Sequence, residues 1–115
     1  MMARGAEVLS ELILDVSFDH DLAVVQAALK ALLGCPCDTV AQHAFCRALR
    51  KAKFRLFRVI EQGGGVPEKK ALLAVVRKAA EVLPQGRKVT RLVRSIRRHI
   101  REIRQAEAGR SARPV

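Results

Sequence analysis

The 115-residue sequence contains no tryptophan and no tyrosine, and only four phenylalanines. A core without large aromatics has to be assembled from Leu, Val, Ile and Ala, a palette that favours helix over strand. Glycine and proline are also few, seven and four. No alternating strand pattern, no internal repeat of credible period and no low-complexity tract appears. Three cysteines are an odd set, which argues against a disulfide-built secreted module and for a reducing compartment: intracellular, nuclear, nucleolar or cytoplasmic. There is no run of about 18 apolar residues, so no transmembrane helix is expected. The N-terminal stretch MMARGAEVLSELILD is acidic and has no separate apolar signal core, which does not fit a secretory or mitochondrial address.

Cations, by contrast, are abundant. Half the residues are apolar, which argues against wholesale disorder, yet the formal net charge is +11. The surplus is lopsided. Residues 1–46 hold Arg4 and Lys30 against six Asp and Glu, a net of −4; residues 47–115 hold twenty Lys and Arg against five Glu, a net of +15. The acids cannot cancel that excess internally, and a strongly basic end raises the local concentration of polyanions.

Apolar spacing divides the chain into five helical segments. Val8, Leu9, Leu12, Ile13 and Val16 share one face over residues 6–17. SFDHD then interrupts, with Asp19 as an N-cap for residues 20–33, whose stripe is Leu22, Val25, Leu29, Leu32 and Leu33. Gly34 ends that helix. Asp38 caps a long third segment with the stripe Ala41, Phe45, Ala48, Leu49, Ala52, Leu56 and Val59, and the triple glycine at 63–65 stops it. Pro67 suits the first turn of a fourth, carrying Leu72, Val75, Val76, Ala79 and Leu83. The fifth is RKVTRLVRSIRRHIREIRQ, residues 87–105. The expected fold class is therefore all-α: one domain over residues 1–108, an antiparallel bundle of about five helices. It comprises an acidic helical hairpin (6–33), three basic helices (38–62, 67–83 and 87–106), and then a flexible basic tail, 109–115.

The last segment carries seven arginines and one lysine within those nineteen residues. At 100° per residue, Val89, Leu92, Val93, Ile96, Ile100 and Ile103 fall on one side, and Arg87, Arg91, Arg94, Arg98 and Arg101 nearly opposite, flanked by Arg97 and Arg104. That row spans roughly 20 Å at 1.5 Å per residue, comparable with several phosphates. Arginine grips phosphate with two parallel hydrogen bonds, where lysine offers a point charge. Like-charged neighbours along the row, such as Arg94–Arg98 and Arg97–Arg101, each cost the helix about 0.2–0.5 kcal/mol, which points to a compensating partner rather than a merely solvated surface. The third segment adds Arg47, Arg50, Lys51 and Arg58, with Phe54 and Phe57 among them. Those rings belong either to stacking on unpaired bases or, as is more usual, to a helix packed on both sides. With so few aromatics, backbone and shape recognition of structured RNA fits better than stacking as the main mode.

CPCDTVAQHAFC offers Cys35, Cys37, His43 and Cys46 as a tetrahedral zinc set, against the plainer reading of small thiols around a helix start. The usual knuckle spacing is C-x2-C rather than the C-x-C found, and no metal or other cofactor is assigned. His20 and His99 have no nucleophile or acid partner, GGGVPEKK lacks the Gly-Lys-Ser/Thr ending of a phosphate-binding loop, and no enzyme activity is read.

VTRLVRSIRRH, residues 89–99, resembles a segment of the elongation factor S-II N-terminal domain: Val89, Val93, Ile96, Arg97, Arg98 and His99 match in kind. The likeness covers about eleven residues. Thr90 replaces a glycine of that pattern, its preceding threonine is absent, and no tryptophan follows. The resemblance implies a helical docking module for short disordered motifs.

The sequence thus points first to a small helical RNA-binding protein, a subunit or assembly factor of a ribonucleoprotein, that meets phosphates through Arg47, Arg50, Lys51, Arg58, Arg87, Arg91, Arg94, Arg97, Arg98, Arg101 and Arg104. The second reading is a protein-interaction module whose basic face receives an acidic segment. Attachment to an anionic membrane is the weakest, because it needs a free apolar face.

Overall fold

SFDHD does not interrupt a helix. In the computed structural model, which describes the backbone of residues 2–112 and the side chains of residues 18–106, a single helix α1 runs Met2–Gly34. The acidic hairpin expected over 6–33 is one continuous element, and the described residues form four helices: α1, α2 (Thr39–Glu61), α3 (Val66–Val82) and α4 (Thr90–Ala112). The reason is local and tertiary. The interruption contains no Gly or Pro, and the modest propensity cost of Ser, Asp and His is outweighed by packing. Phe18, Asp21, Val25, Leu29 and Leu32 are all buried, so one helical stripe continues through it. Asp19, expected as a cap, is an exposed mid-helix residue. The apolar set from Val8 to Val16 lies outside the described side chains.

The boundaries of α2 follow the expected chemistry. Asp38 is its N-cap and accepts a 2.9 Å hydrogen bond from the Val40 N–H. Its end turns through Gly63 and Gly65, at φ +96° and +103°. Gly65 is doubly required: besides its left-handed backbone, a Cβ there would lie 2.7 Å from Ile60 Cγ1. Pro67 follows in the first turn of α3. α3 stops where Leu83 becomes extended ahead of Pro84. α4 begins later than expected, because residues 86–89 form a turn in which the Thr90 hydroxyl donates to the Gly86 carbonyl at 2.8 Å. Arg87 and Lys88 thus precede the helix. At its other end α4 continues to Ala112, into the segment assigned to the tail; residues 113–115 lie outside those described.

α2 and α3 each pack against all the other helices, while α1 and α4 do not meet among the described residues. α1 and α2 form an antiparallel pair, pinned by Asp21 and Arg55. α2 and α4, however, run in the same sense: Gln42 donates to the Lys88 carbonyl at 3.1 Å, and further along both helices Lys53 meets His99 and Glu102. The all-helical class stands, but the antiparallel five-helix bundle is replaced, among the described residues, by four helices in which α2 and α4 pack in the same sense. Two chain reversals, at 62–65 and 83–89, separate α2 from α4, and two reversals restore the original direction.

The core is aliphatic, with Phe45 as its one fully enclosed ring; Val25, Leu32, Leu49, Leu56, Leu72, Val76, Ile96 and Ile103 are equally enclosed. Burying each such side chain contributes roughly 1.5–3 kcal/mol before entropy is counted. Val59 and Ala41, expected on the inner stripe of α2, are only half-buried, and Lys53 and Ile60 complete that stripe instead.

Candidate nucleic-acid interface

The inner face of α4 consists of Val89, Leu92, Val93, Ile96 and Ile103, all buried, with Ile100 packed at the edge. The geometry of a helix then sends the residues between them outward. Arg91, Arg94, Arg97, Arg98, Arg101 and Arg104 are all exposed, as is Arg87 in the preceding turn. Among the described residues only Arg98 in this row has an ion pair, a 3.9 Å contact with Glu102 on its own helix. A pair that long, between two solvated groups, adds little.

The outer face of α2 is also basic. Arg47, Arg50, Lys51 and Arg58 are exposed, with no ion pair among the described residues. The two phenylalanines part company. Phe57 is half-buried against the core, whereas Phe54 is 62% exposed. Phe54, Lys51, Arg55 and Arg58 line a shallow open depression of about 220 Å³. Arg50 on α2 and Arg98 on α4 both act electrostatically on Cys46 and His99, so these two cations border the α2–α4 seam.

Beneath that seam lies a polar cluster that the sequence reading missed. Lys53, 8% exposed, places its ammonium 3.0 Å from His99 Nδ1, donates to Glu102, and sits 6.0 Å from the centre of the Phe57 ring. With Nδ1 accepting, the imidazole proton lies on Nε2. Burial first, and then the neighbouring ammonium, push the His99 pKa below its ordinary value. The hydrogen bond from Lys53 holds the Glu102 carboxyl below the usual range. The signal was present in the spacing: Lys53 falls between Leu49 and Leu56 on the inner stripe of α2, and His99 between Ile96 and Ile103 on that of α4. A second buried charge, Asp21, faces Arg55 Nε at 3.6 Å, an ion pair too long to be a hydrogen bond, which leaves its Oδ2 without one.

The zinc set is not assembled. Cys35, Cys37 and His43 are exposed and Cys46 is half-buried, and among the described residues no three His, Cys, Asp or Glu side chains gather as metal ligands. The α1–α2 loop that carries Cys35 and Cys37 is instead held by Gln42, which donates to the Pro36 carbonyl at 2.7 Å. Burial pushes the Cys46 thiol up, against the lowering influence of Arg50 and Arg98. Among the described residues no helix is long and apolar enough to cross a membrane.

A scan against protein-family models and searches of the curated proteins and of the solved structures found no match to this chain.

Proposed function

We propose that this protein binds structured RNA, as a subunit or assembly factor of a ribonucleoprotein, by laying the outer faces of α4 and α2 against the sugar–phosphate backbone. The observation that carries this reading is the outward row on α4: of its exposed guanidinium groups only Arg98 has an internal anion among the described residues. A chain with a formal charge of +11 pays for that crowding in self-repulsion, and a polyphosphate relieves it. The helices act as a ruler. Their buried faces fix the spacing of the cations, and the cations read backbone geometry rather than sequence.

One observation favours a second reading, a docking surface for an acidic protein segment. Phe54 and Val40 are exposed large apolar residues on α2, beside its cations. Titration of the protein with a hairpin RNA, a DNA duplex of equal length and an acidic peptide, at several salt concentrations, separates the two. The RNA reading requires the hairpin to bind best at near-physiological salt, with log affinity falling linearly in log salt by about 0.7–0.9 per phosphate contacted. Binding of the peptide alone would establish the second reading, and no RNA binding at that salt would end the first.

A further inference from the structure

Phe54 is the one exposed phenylalanine among the described residues, and its neighbours are chemically selective. On the same outer face of α2, Lys51 lies three residues before it and Arg58 four residues after it, with Arg47 a further turn back. Seven residues of helix separate Lys51 and Arg58 by about 10 Å along the axis, so the two cations bracket the ring. The bracket suits a strand whose phosphates lie on either side of one inserted base. Arg55, the fourth group around the depression, is turned towards Asp21 of α1. It closes one wall of the depression and cancels the one buried acid there.

A ring held open to solvent costs an apolar side chain its burial, and helix propensity does not require Phe at this position. A protein partner normally seats a cluster of apolar anchors at the centre of its footprint. Here a single ring is surrounded by cations. We infer that Phe54 is a stacking platform for one unpaired nucleobase, with Lys51 and Arg58 engaging the flanking phosphates. The preferred RNA is then a helix interrupted by a bulge or ending in a loop, not an uninterrupted duplex. This rests on the RNA reading above and names the kind of RNA that the reading leaves open. The base contributes a face rather than a hydrogen-bonding edge, so its identity matters little.

The absence of Trp and Tyr supplies a clean test. In the F54W protein the introduced indole is the sole strong fluorophore, and it is placed on an exposed position that the core does not need. Two hairpins are compared, identical except for one bulged nucleotide in the stem. The expected result is quenching of the indole by the bulged hairpin and little change with the fully paired one. The unmodified protein should prefer the bulged hairpin by about tenfold, and F54A should abolish that preference while retaining the salt dependence. Equal affinity for both hairpins, with a steep salt dependence and no effect of F54A, would overturn the stacking platform and leave RNA binding intact. Failure of both hairpins to bind at near-physiological salt would overturn the two together. Indole quenching by an acidic peptide in preference to either RNA would assign the depression to a protein instead.

Discussion

Lys53 and its neighbours on α2 show two opposite treatments of positive charge within a few residues. Lys53 points into the α2–α4 seam, where His99 and Glu102 receive it. Arg50, Lys51 and, about two turns on, Arg58 point out of the fold, with no ion pair among the described residues. α4 repeats the contrast: His99 and Glu102 answer a cation on its inner edge, while Arg91, Arg94 and Arg101 on its outer one have no ion pair among the described residues. The fold supplies acids where a charge is buried, because an unpaired ion inside costs several kcal/mol. Outside, among the described residues, it supplies only the long contact of Glu102 with Arg98, although Glu61 and Glu81 are exposed elsewhere on the surface. Apart from the long Arg98–Glu102 contact, Arg47, Arg50, Lys51, Arg58, Arg91, Arg94 and Arg101 have no ion pair among the described residues and remain open to another molecule.

The sharpest way to break this contrast is to remove the buried cation. Lys53→Ala leaves the His99 ring without its donor and opens a void beside Phe57. The change should lower unfolding free energy by about 2–4 kcal/mol in urea denaturation. If it costs no more than a surface substitution, Lys53 is not the seam's anchor. The double replacement Lys53→Met with His99→Leu fills the same space with apolar groups and should recover most of that loss, since a satisfied polar cluster is often no more stable than a packed apolar one.

Acid sharpens the comparison next. The His99 pKa is lowered in the fold, so the unfolded chain takes up its proton first as pH falls. Stability should be flat above about pH 6.5 and decline below it, by up to ~1.4 kcal/mol per pH unit for this one group. Glu102 has a lowered carboxyl pKa; its contribution is present above about pH 4.5 and is lost as pH falls through its folded value. Both act in the same direction. Unfolding measured between pH 7.5 and 5.5 should therefore show a slope in the unmodified protein that is reduced in the Lys53→Met/His99→Leu protein. An equal slope in both would place the acid sensitivity elsewhere.

The smallest effect belongs to the outer row. Arg94→Gln removes like-charge contacts with Arg97 and Arg98 and touches no buried group, so thermal unfolding should show a gain of about 0.2–0.5 kcal/mol. A loss of more than 1 kcal/mol would mean that Arg94 is structural after all.

Much of this architecture was legible in the residues. The aliphatic comb of α4, the Asp38 cap, the Gly63–Gly65 stop and Pro67 in the first turn of α3 are local signals, and local chemistry decides them. What could not be read depended on partners distant in sequence. SFDHD looks like a break until Asp21 is seen facing Arg55 and Phe18 facing the core. The direction of α4 relative to α2 is a property of two loops together, and no periodicity records it. Lys53 and His99 stood on apolar stripes in plain view, but only their meeting across the seam, 46 residues apart, makes them a unit. Phe54 and Phe57 were alike as letters; three residues of helical rotation put one against the core and left the other in solvent.

The central claim, that the outer cations of α4 are free to neutralise phosphates, is tested most directly by the salt dependence of hairpin RNA affinity, measured for the unmodified protein and for Arg91→Gln/Arg94→Gln/Arg101→Gln. The three substitutions avoid Arg98, which has an internal partner, and should leave helicity unchanged. The predicted result is weaker binding with a log–log salt slope shallower by about 2–3, which corresponds to three lost phosphate contacts. An unchanged slope and affinity, with the hairpin still bound, would contradict the claim.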